Sequence, residues 1–230
     1  MKITDSILKF AGKEGFSLDP AVSKEAFARQ CFKYGKMAAK GKMYSLLKLT
    51  NGSSSVFIGK NVVIQEHRNI RFGNKVKLHD GVFIDALSTE GVSLGDGVVL
   101  GRNSRIECTG SLSKLGKGVK IGSRTTFGSD CYFGAAGGIE IGEDVVAGQY
   151  VRFHSENHVY SDTEKLIREQ GVTHKGIVIG NNCWIGAGAV FLDGAEIGDG
   201  SVVAANAVVT KSFQPNSVIG GVPAKLIKTR

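Results

Sequence analysis

Residues 178–211, VIGNNCWIGAGAVFLDGAEIGDGSVVAANAVVTK, place a bulky apolar side chain at every sixth position: Ile179, Ile185, Phe191, Ile197, Val203 and Val209. Small residues follow four of them, at Gly180, Gly186, Gly198 and Ala204. The spacing returns at Leu94, Leu100 and Ile106, at Ile121, Phe127 and Phe133, and at Ile141, Ala147 and Phe153. A fainter version opens at Ile58, Ile64 and Ile70, and the phase slips near residues 72–84. A helix repeats every ~3.6 residues and a flat strand every ~2, so neither produces this period. A fixed short repeat marks a solenoid, in which each unit buries its face only against its neighbours. The expected fold is mainly β: a triangular β-helix with three hexads per coil. The bulky residue fills the prism, the small one takes the tight corner, and successive coils pair as parallel strands.

Working outward, the β-helix is expected over residues 56–212, with a protruding loop at 154–176 and a tail at 213–230. Residues 1–50 read as a separate helical segment starting near Asp19-Pro20, with Gly35 and Gly41 splitting it into two short helices. TNGSSS at 50–55 and TGSLSKLGKG at 109–118 read as loops. The chain has 230 residues and a formal net charge of +8. Residues 1–50 hold ten Lys or Arg against four Asp or Glu. A patch of that kind suits nucleic acid, an anionic membrane, a phosphorylated ligand or plain solvent. No 18-residue apolar run or signal peptide is visible. Cys31, Cys108, Cys131 and Cys183 lack the spacing of a zinc site. The last three lie two residues from inward positions and read as reduced core fillers. Together these points favour the cytoplasm as the expected location.

The interruption between Phe153 and Ile177 is polar and holds His154, His158 and His174. Long loops within compact repeats are usually functional or disordered, and histidine is the natural base near neutral pH. His154 and His158 are four residues apart in a loop, which does not amount to a metal site, so no metal is expected. Trp184, the single tryptophan, neighbours an inward Ile185 and should point outward, either packed under a loop or forming a ligand wall.

Residues 178–230 closely resemble the C-terminal half of hexapeptide-repeat acyltransferases, above all the maltose and galactoside O-acetyltransferases and bacterial polysaccharide O-acetyltransferases. The resemblance extends over residues 56–230 and implies a left-handed β-helix, a homotrimer with sites between subunits, and acetyl-CoA as co-substrate with no tightly bound cofactor. It makes His158, seventeen residues after Ile141 of IGEDV, the catalytic base, and not His154. It makes the Ala187 N–H the oxyanion donor and Trp184 a wall beside the thioester. It aligns Ala205, Thr210 and Lys211 with positions that line coenzyme A, and Lys225 and Lys228 of GVPAKLIK with those meeting its phosphates. The sugar-contacting positions of the galactoside enzymes fall near Gly128 and Ala136, where the polar side chains are missing.

The function expected from this resemblance is acetyl-CoA-dependent O-acetylation of a sugar hydroxyl in cell-surface polysaccharide synthesis (O-antigen, capsule or exopolysaccharide). N-acetylation of an amino sugar, O-acetylation of an antibiotic and a non-catalytic β-helix scaffold are the alternatives. The expected partners are a saccharide acceptor and further copies of the chain rather than nucleic acid. Residues 1–50 either touch the inner membrane peripherally or help shape the acceptor pocket.

Overall fold

A computed structural model describes residues 18–47, 51–52 and 55–230. Three sheets form the walls of a prism, with seven, nine and seven strands, all parallel except the last strand of the nine-stranded one. Face A begins with Asn51–Gly52 and Ile70–Phe72 and ends with Ile177–Ile179 and Glu196–Ile197. Face B runs from Phe57–Ile58 through Val146–Ala147, Trp184–Ile185 and Val202–Val203 to Ser217–Gly220. Face C runs from Val63–Gln65 through Tyr132–Gly134, Arg152–His154 and Val190–Leu192 to Val208–Val209. The chain visits A, B and C in turn, so a hexad is one face and three hexads are one coil.

The inward residues are those the period marks. Leu100, Ile106, Phe133, Phe153, Ile185, Phe191 and Val209 are fully buried. Phe133, Phe153 and Phe191 stack along face C with ring centroids 5.0 and 4.9 Å apart. Cys108, Cys131 and Cys183 are buried free thiols, and burial pushes the Cys131 thiol up to about 11.

The phase differs from expectation in the early coils. Phe72, Leu78 and Ile84 keep the six-residue step and are buried. The slip comes earlier, where a 3-10 turn at His67–Asn69 lengthens the corner after Ile64. Phe72 therefore pairs with Leu94, and Ile70 with Val92. Beyond residue 212 the coil continues: Ser217–Gly220 extends face B, and Lys225–Thr229 folds back antiparallel upon it.

The N-terminal segment also departs from the reading above. One helix, α1, spans Lys24–Leu46, capped by the Ser23 hydroxyl accepting from the Ala26 N–H. Asp19-Pro20 instead makes a turn, with the Asp19 carboxylate accepting from the Ala21 N–H at 2.8 Å. Gly35 and Gly41 do not break the helix. A Cβ on Gly41 would lie 1.7 Å from the Val56 carbonyl, so this glycine lets α1 rest on the first coil. Among the described residues no helix is long and apolar enough to cross a membrane. Residues 1–17, which carry part of the expected helical segment, lie outside those described.

Candidate active site

The corners of the prism are not equivalent. A tight corner leaves a backbone N–H that no strand ladder satisfies, and such a group needs another partner. On the A/B edge the next coil supplies one. The Asn74 N–H donates to the Asp96 carboxylate at 2.6 Å, Glu143 to Asn181 Oδ1 at 2.9 Å, and Asn181 to Asp199 Oδ1 at 2.6 Å. Gly180 makes room for this cap, because a Cβ there would sit 2.3 Å from Asp199 Oδ1. At the same height on the B/C edge, Gly186 occupies the place of Gly180, Ala187 that of Asn181 and Ala205 that of Asp199. A methyl group cannot accept a hydrogen bond. The Ala187 N–H therefore has no acceptor among the described residues, while its carbonyl accepts from the Asn206 N–H at 2.9 Å.

Trp184 lies on face B just before this corner and is 61% exposed, so it points outward. It is in register with Val146 and Val202, and Val202 with Val218. Val218 in turn pairs with Lys228, and Gly220 with Lys225. Trp184, Ala187, Ala205, Lys225 and Lys228 thus share face B and its C-side edge. With strands about 4.8 Å apart, Lys228 stands roughly 14 Å from Trp184.

His158, Thr210 and Lys211 lie elsewhere. Thr210 and Lys211 follow the last strand of face C and are exposed on the C/A edge. The long loop leaves the prism between Arg152–His154 on face C and Ile177–Ile179 on face A, so it is rooted at the C/A edge as well. Within one chain, His158 and Ala187 belong to edges separated by the width of face C. That width is roughly 15–20 Å at about 3.3 Å per residue.

The loop is tied down at both ends. Ser155, fully buried, donates its hydroxyl to the Gly134 carbonyl and accepts from the Gly137 N–H, both at 2.9 Å. Asn157–His158 pairs antiparallel with Val172–Thr173. Glu156 meets His174 Nε2 at 2.6 Å across the hairpin base. Asp193, 6% exposed, accepts from the Lys175 N–H, the Gly176 N–H and the Thr173 hydroxyl at 2.7–2.8 Å. His158 thus sits exposed on a pinned hairpin, and His174 is one of its staples. Asp193 was not singled out in the sequence. The signal was present, since an aspartate before Gly194 breaks the run of apolar and small residues in that coil.

His154 lies on the outer wall of face C, with its ring 5.5 Å from Tyr132. Burial, then Arg152, lowers its pKa below the usual histidine value. It borders a recess of about 190 Å³ beside the loop root. Gly134, Ala135 and Ala136 line it together with Glu107, Tyr132 and Glu156. The Tyr132 hydroxyl donates to Glu107 at 3.0 Å. Among the described residues no group of three His, Cys, Asp or Glu is placed to hold a metal.

Sequence comparisons agree with this architecture. The bacterial transferase hexapeptide model (six repeats) matches residues 176–211. The model of the hexapeptide repeat of succinyl-transferase matches residues 80–107 and 118–149. A chloramphenicol acetyltransferase of Morganella morganii is 36% identical over 110 residues, which is 48% of this chain and 50% of that one. A probable acetyltransferase of Mycobacterium tuberculosis is 31% identical over 150 residues, covering 58% of this chain and 50% of that one. The chain spans about half the length of these curated relatives. Among solved structures, AntD, an N-acyltransferase from Bacillus cereus complexed with dTDP-4-amino-4,6-dideoxyglucose and coenzyme A, superposes with a TM-score of 0.55 at 18% identity. The match covers 82% of this chain and 88% of AntD. The fold is a left-handed parallel β-helix of hexapeptide repeats. Residues 80–107, 118–149 and 176–211 thus carry hexapeptide repeats of the bacterial-transferase kind, and about half of the chain is similar to acetyltransferases.

Proposed function

We propose that this chain is an acetyl-CoA-dependent O-acetyltransferase acting on a sugar hydroxyl, in the synthesis of cell-surface polysaccharide. The observation that carries the reading is the open Ala187 N–H beside exposed Trp184, on an edge whose counterpart is closed. An uncapped backbone donor of this kind suits an oxyanion, because it is oriented in advance and costs no reorganisation. His158 removes the proton of the acceptor hydroxyl as that oxygen attacks the thioester carbonyl. Negative charge gathers on the carbonyl oxygen and meets the Ala187 N–H. Collapse breaks the carbon–sulfur bond, and His158 returns the proton to the leaving thiolate. Trp184 offers an apolar wall to the thioester arm, and Ala205 a corner shallow enough for that arm to lie close. Lys225 and Lys228 offer point charges to phosphates.

His158 and Ala187 stand on different edges of one chain, so we assign them to one site through assembly. In a homotrimer the C/A edge of one copy lies against the B/C edge of the next. Thr210 and Lys211 then join the coenzyme site from the side that supplies His158. The recess with Glu107, Tyr132 and His154 lies beside the loop root and has the mixed donors and acceptors a sugar ring needs. The relatives named above support a second reading, an antibiotic hydroxyl as acceptor, and AntD supports an amine on a nucleotide-linked sugar.

The deciding experiment is mass spectrometry of products from acetyl-CoA with a panel of nucleotide sugars, oligosaccharides, amino sugars and chloramphenicol. A mass gain of one acetyl group on a saccharide hydroxyl is expected. It should fall about 10²–10⁴-fold in His158→Ala and far less in His154→Ala. Acetylation of chloramphenicol or an amine alone would replace the acceptor, and reversal of the two histidine effects would remove His158 as base.

A further inference from the structure

A further concave feature lies at the other end of the molecule. α1 crosses face B of the first coil and, on its B/C side, borders an open cavity of about 460 Å³. Arg29, Lys33, Lys36 and Lys40 line it from the helix. Their spacing of four, three and four residues puts all of them on one helical face. Lys60 and Arg102 line it from the corners of the prism. The single carboxylate in the lining is Asp80, and its Oδ1 already accepts from the Lys60 N–H at 2.8 Å. No carboxylate is ion-paired with any of the six cations among the described residues.

Two physical points favour a ligand over a solvated surface. Like charges four apart on a helix destabilise it, a cost that an anion held between them would offset. The charge also surrounds a hollow with an apolar side, formed by Phe32, Met37 and Ile58. Phe32 is 66% exposed, and the Lys36 ammonium lies 4.1 Å from its ring centroid. A cavity of this size falls within the usual range of small-molecule sites, roughly 300–1,000 Å³. A membrane surface needs a convex or flat patch, whereas here the charges converge.

We propose that this cavity binds a phosphorylated small molecule by its phosphate or diphosphate group, with the cations from α1 closing over the anion from one side and Lys60 and Arg102 from the other. If the acyltransferase reading above holds, on which this one assignment rests, the ligand is the acceptor, held by a group remote from its reacting hydroxyl. Arg102 shares the B/C edge with Ala187. Residues 102, 129, 149 and 187 succeed one another there, so the two lie roughly 14 Å apart at about 4.8 Å per coil. A phosphorylated saccharide of a few rings spans that distance.

The test is calorimetric titration of the full chain with pyrophosphate at low salt. It uses the Lys225→Ala/Lys228→Ala background, so that the coenzyme site does not contribute. Saturable binding is expected, weakened at least tenfold by adding Lys33→Gln and Arg102→Gln. Glutamine keeps helix propensity near that of lysine, and circular dichroism checks that α1 persists. Lys33→Gln/Arg102→Gln in the otherwise unaltered chain should leave acetyl-CoA affinity unchanged. A nucleoside diphosphate that displaces pyrophosphate assigns a soluble source for the phosphate. Capture by vesicles carrying a prenyl phosphate, reversed by pyrophosphate, assigns a lipid-linked one. Absence of binding at low salt, binding indifferent to Lys33 and Arg102, or adsorption to any anionic vesicle regardless of pyrophosphate would overturn the proposal. Pyrophosphate binding by a chain that ignores acetyl-CoA would support this cavity while removing the acyltransferase reading.

Discussion

The A/B and B/C edges are built from the same turn, yet on the coil that holds Asn181 and Ala187 one corner is capped and the other open. At Asn181 the corner N–H ends on the Asp199 carboxylate, at 2.6 Å. At Ala187, on the same coil, the residue in Asp199's place is Ala205. The glycines that clear the space, Gly180 and Gly186, are the same in both. What separates a capped corner from an open one here is a single side chain one coil further on. An acceptor there makes the edge self-sufficient, and a methyl group leaves a rigid donor for a substrate. The lower end of the B/C edge is closed again by Asp80 on Lys60, so openness belongs to particular coils.

The sharpest way to break this comparison is to convert one edge into the other. Ala205→Asp should place a carboxylate over Gly186 and cap the Ala187 N–H. Losing an oxyanion donor costs about 10²–10³ in kcat, and that loss is expected in steady-state assays with melting temperature unchanged or raised. Full activity in a variant whose structure shows the cap formed would remove Ala187 from the mechanism. The converse change, Asp199→Ala, uncaps Asn181. It should lower stability by about 1 kcal/mol in urea titrations while leaving kcat within twofold.

The next effect concerns the loop that carries His158. Asp193→Ala removes three hydrogen bonds at the loop base, from Thr173, Lys175 and Gly176. Stability should fall by about 2–4 kcal/mol, since hydrogen bonds to a charged group are worth about 1.5–3 kcal/mol each and are not additive. Hydrogen exchange should rise first in residues 157–173, and kcat should fall with KM for acetyl-CoA little changed. Protection of that hairpin unaltered by the substitution would show that His158 is held by something other than its base.

A smaller effect is expected on face B. Lys225→Ala with Lys228→Ala should raise KM for acetyl-CoA about tenfold, with the difference shrinking as salt increases. A KM that does not move would place the phosphates away from the hairpin closing that face.

The smallest effect tests the interior both edges enclose. Burial pushes the thiols of Cys108 and Cys131 up to about 12 and about 11. Neutral thiol is thus the form the fold favours. The stability this contributes is complete below the unfolded value near 9 and is lost as pH rises through about 11 to 12. Iodoacetamide at pH 8 should therefore modify half-buried Cys31 and spare Cys108, Cys131 and Cys183. Labelling of Cys131 in the folded chain would mean that the prism opens at that coil.

Much of the fold could be read from single residues. Ile185, Phe191 and Val209 were placed inward by period alone, and Trp184 outward by its neighbour. Where the reading failed, a competing contact had won. The two added residues after Ile64 moved the slip ahead of Phe72, and Gly41, a helix breaker by propensity, became the point where α1 touches Val56. Resemblance named the candidate positions, but not their arrangement. Nothing local to His158 or Ala187 says that they stand on different edges, or that His174 and Asp193 serve to hold the loop.

The sequence by itself determined the prism, because inward direction repeats along the chain and needs only near neighbours to be read. The tertiary structure alone decided which corners are capped. The cap comes from the next coil, and its distance along the chain varies with every insertion: 22 residues from Asn74 to Asp96, 38 from Glu143 to Asn181 and 18 from Asn181 to Asp199. No fixed spacing marks such a partner, so the open donor at Ala187 becomes visible only when the coils are stacked.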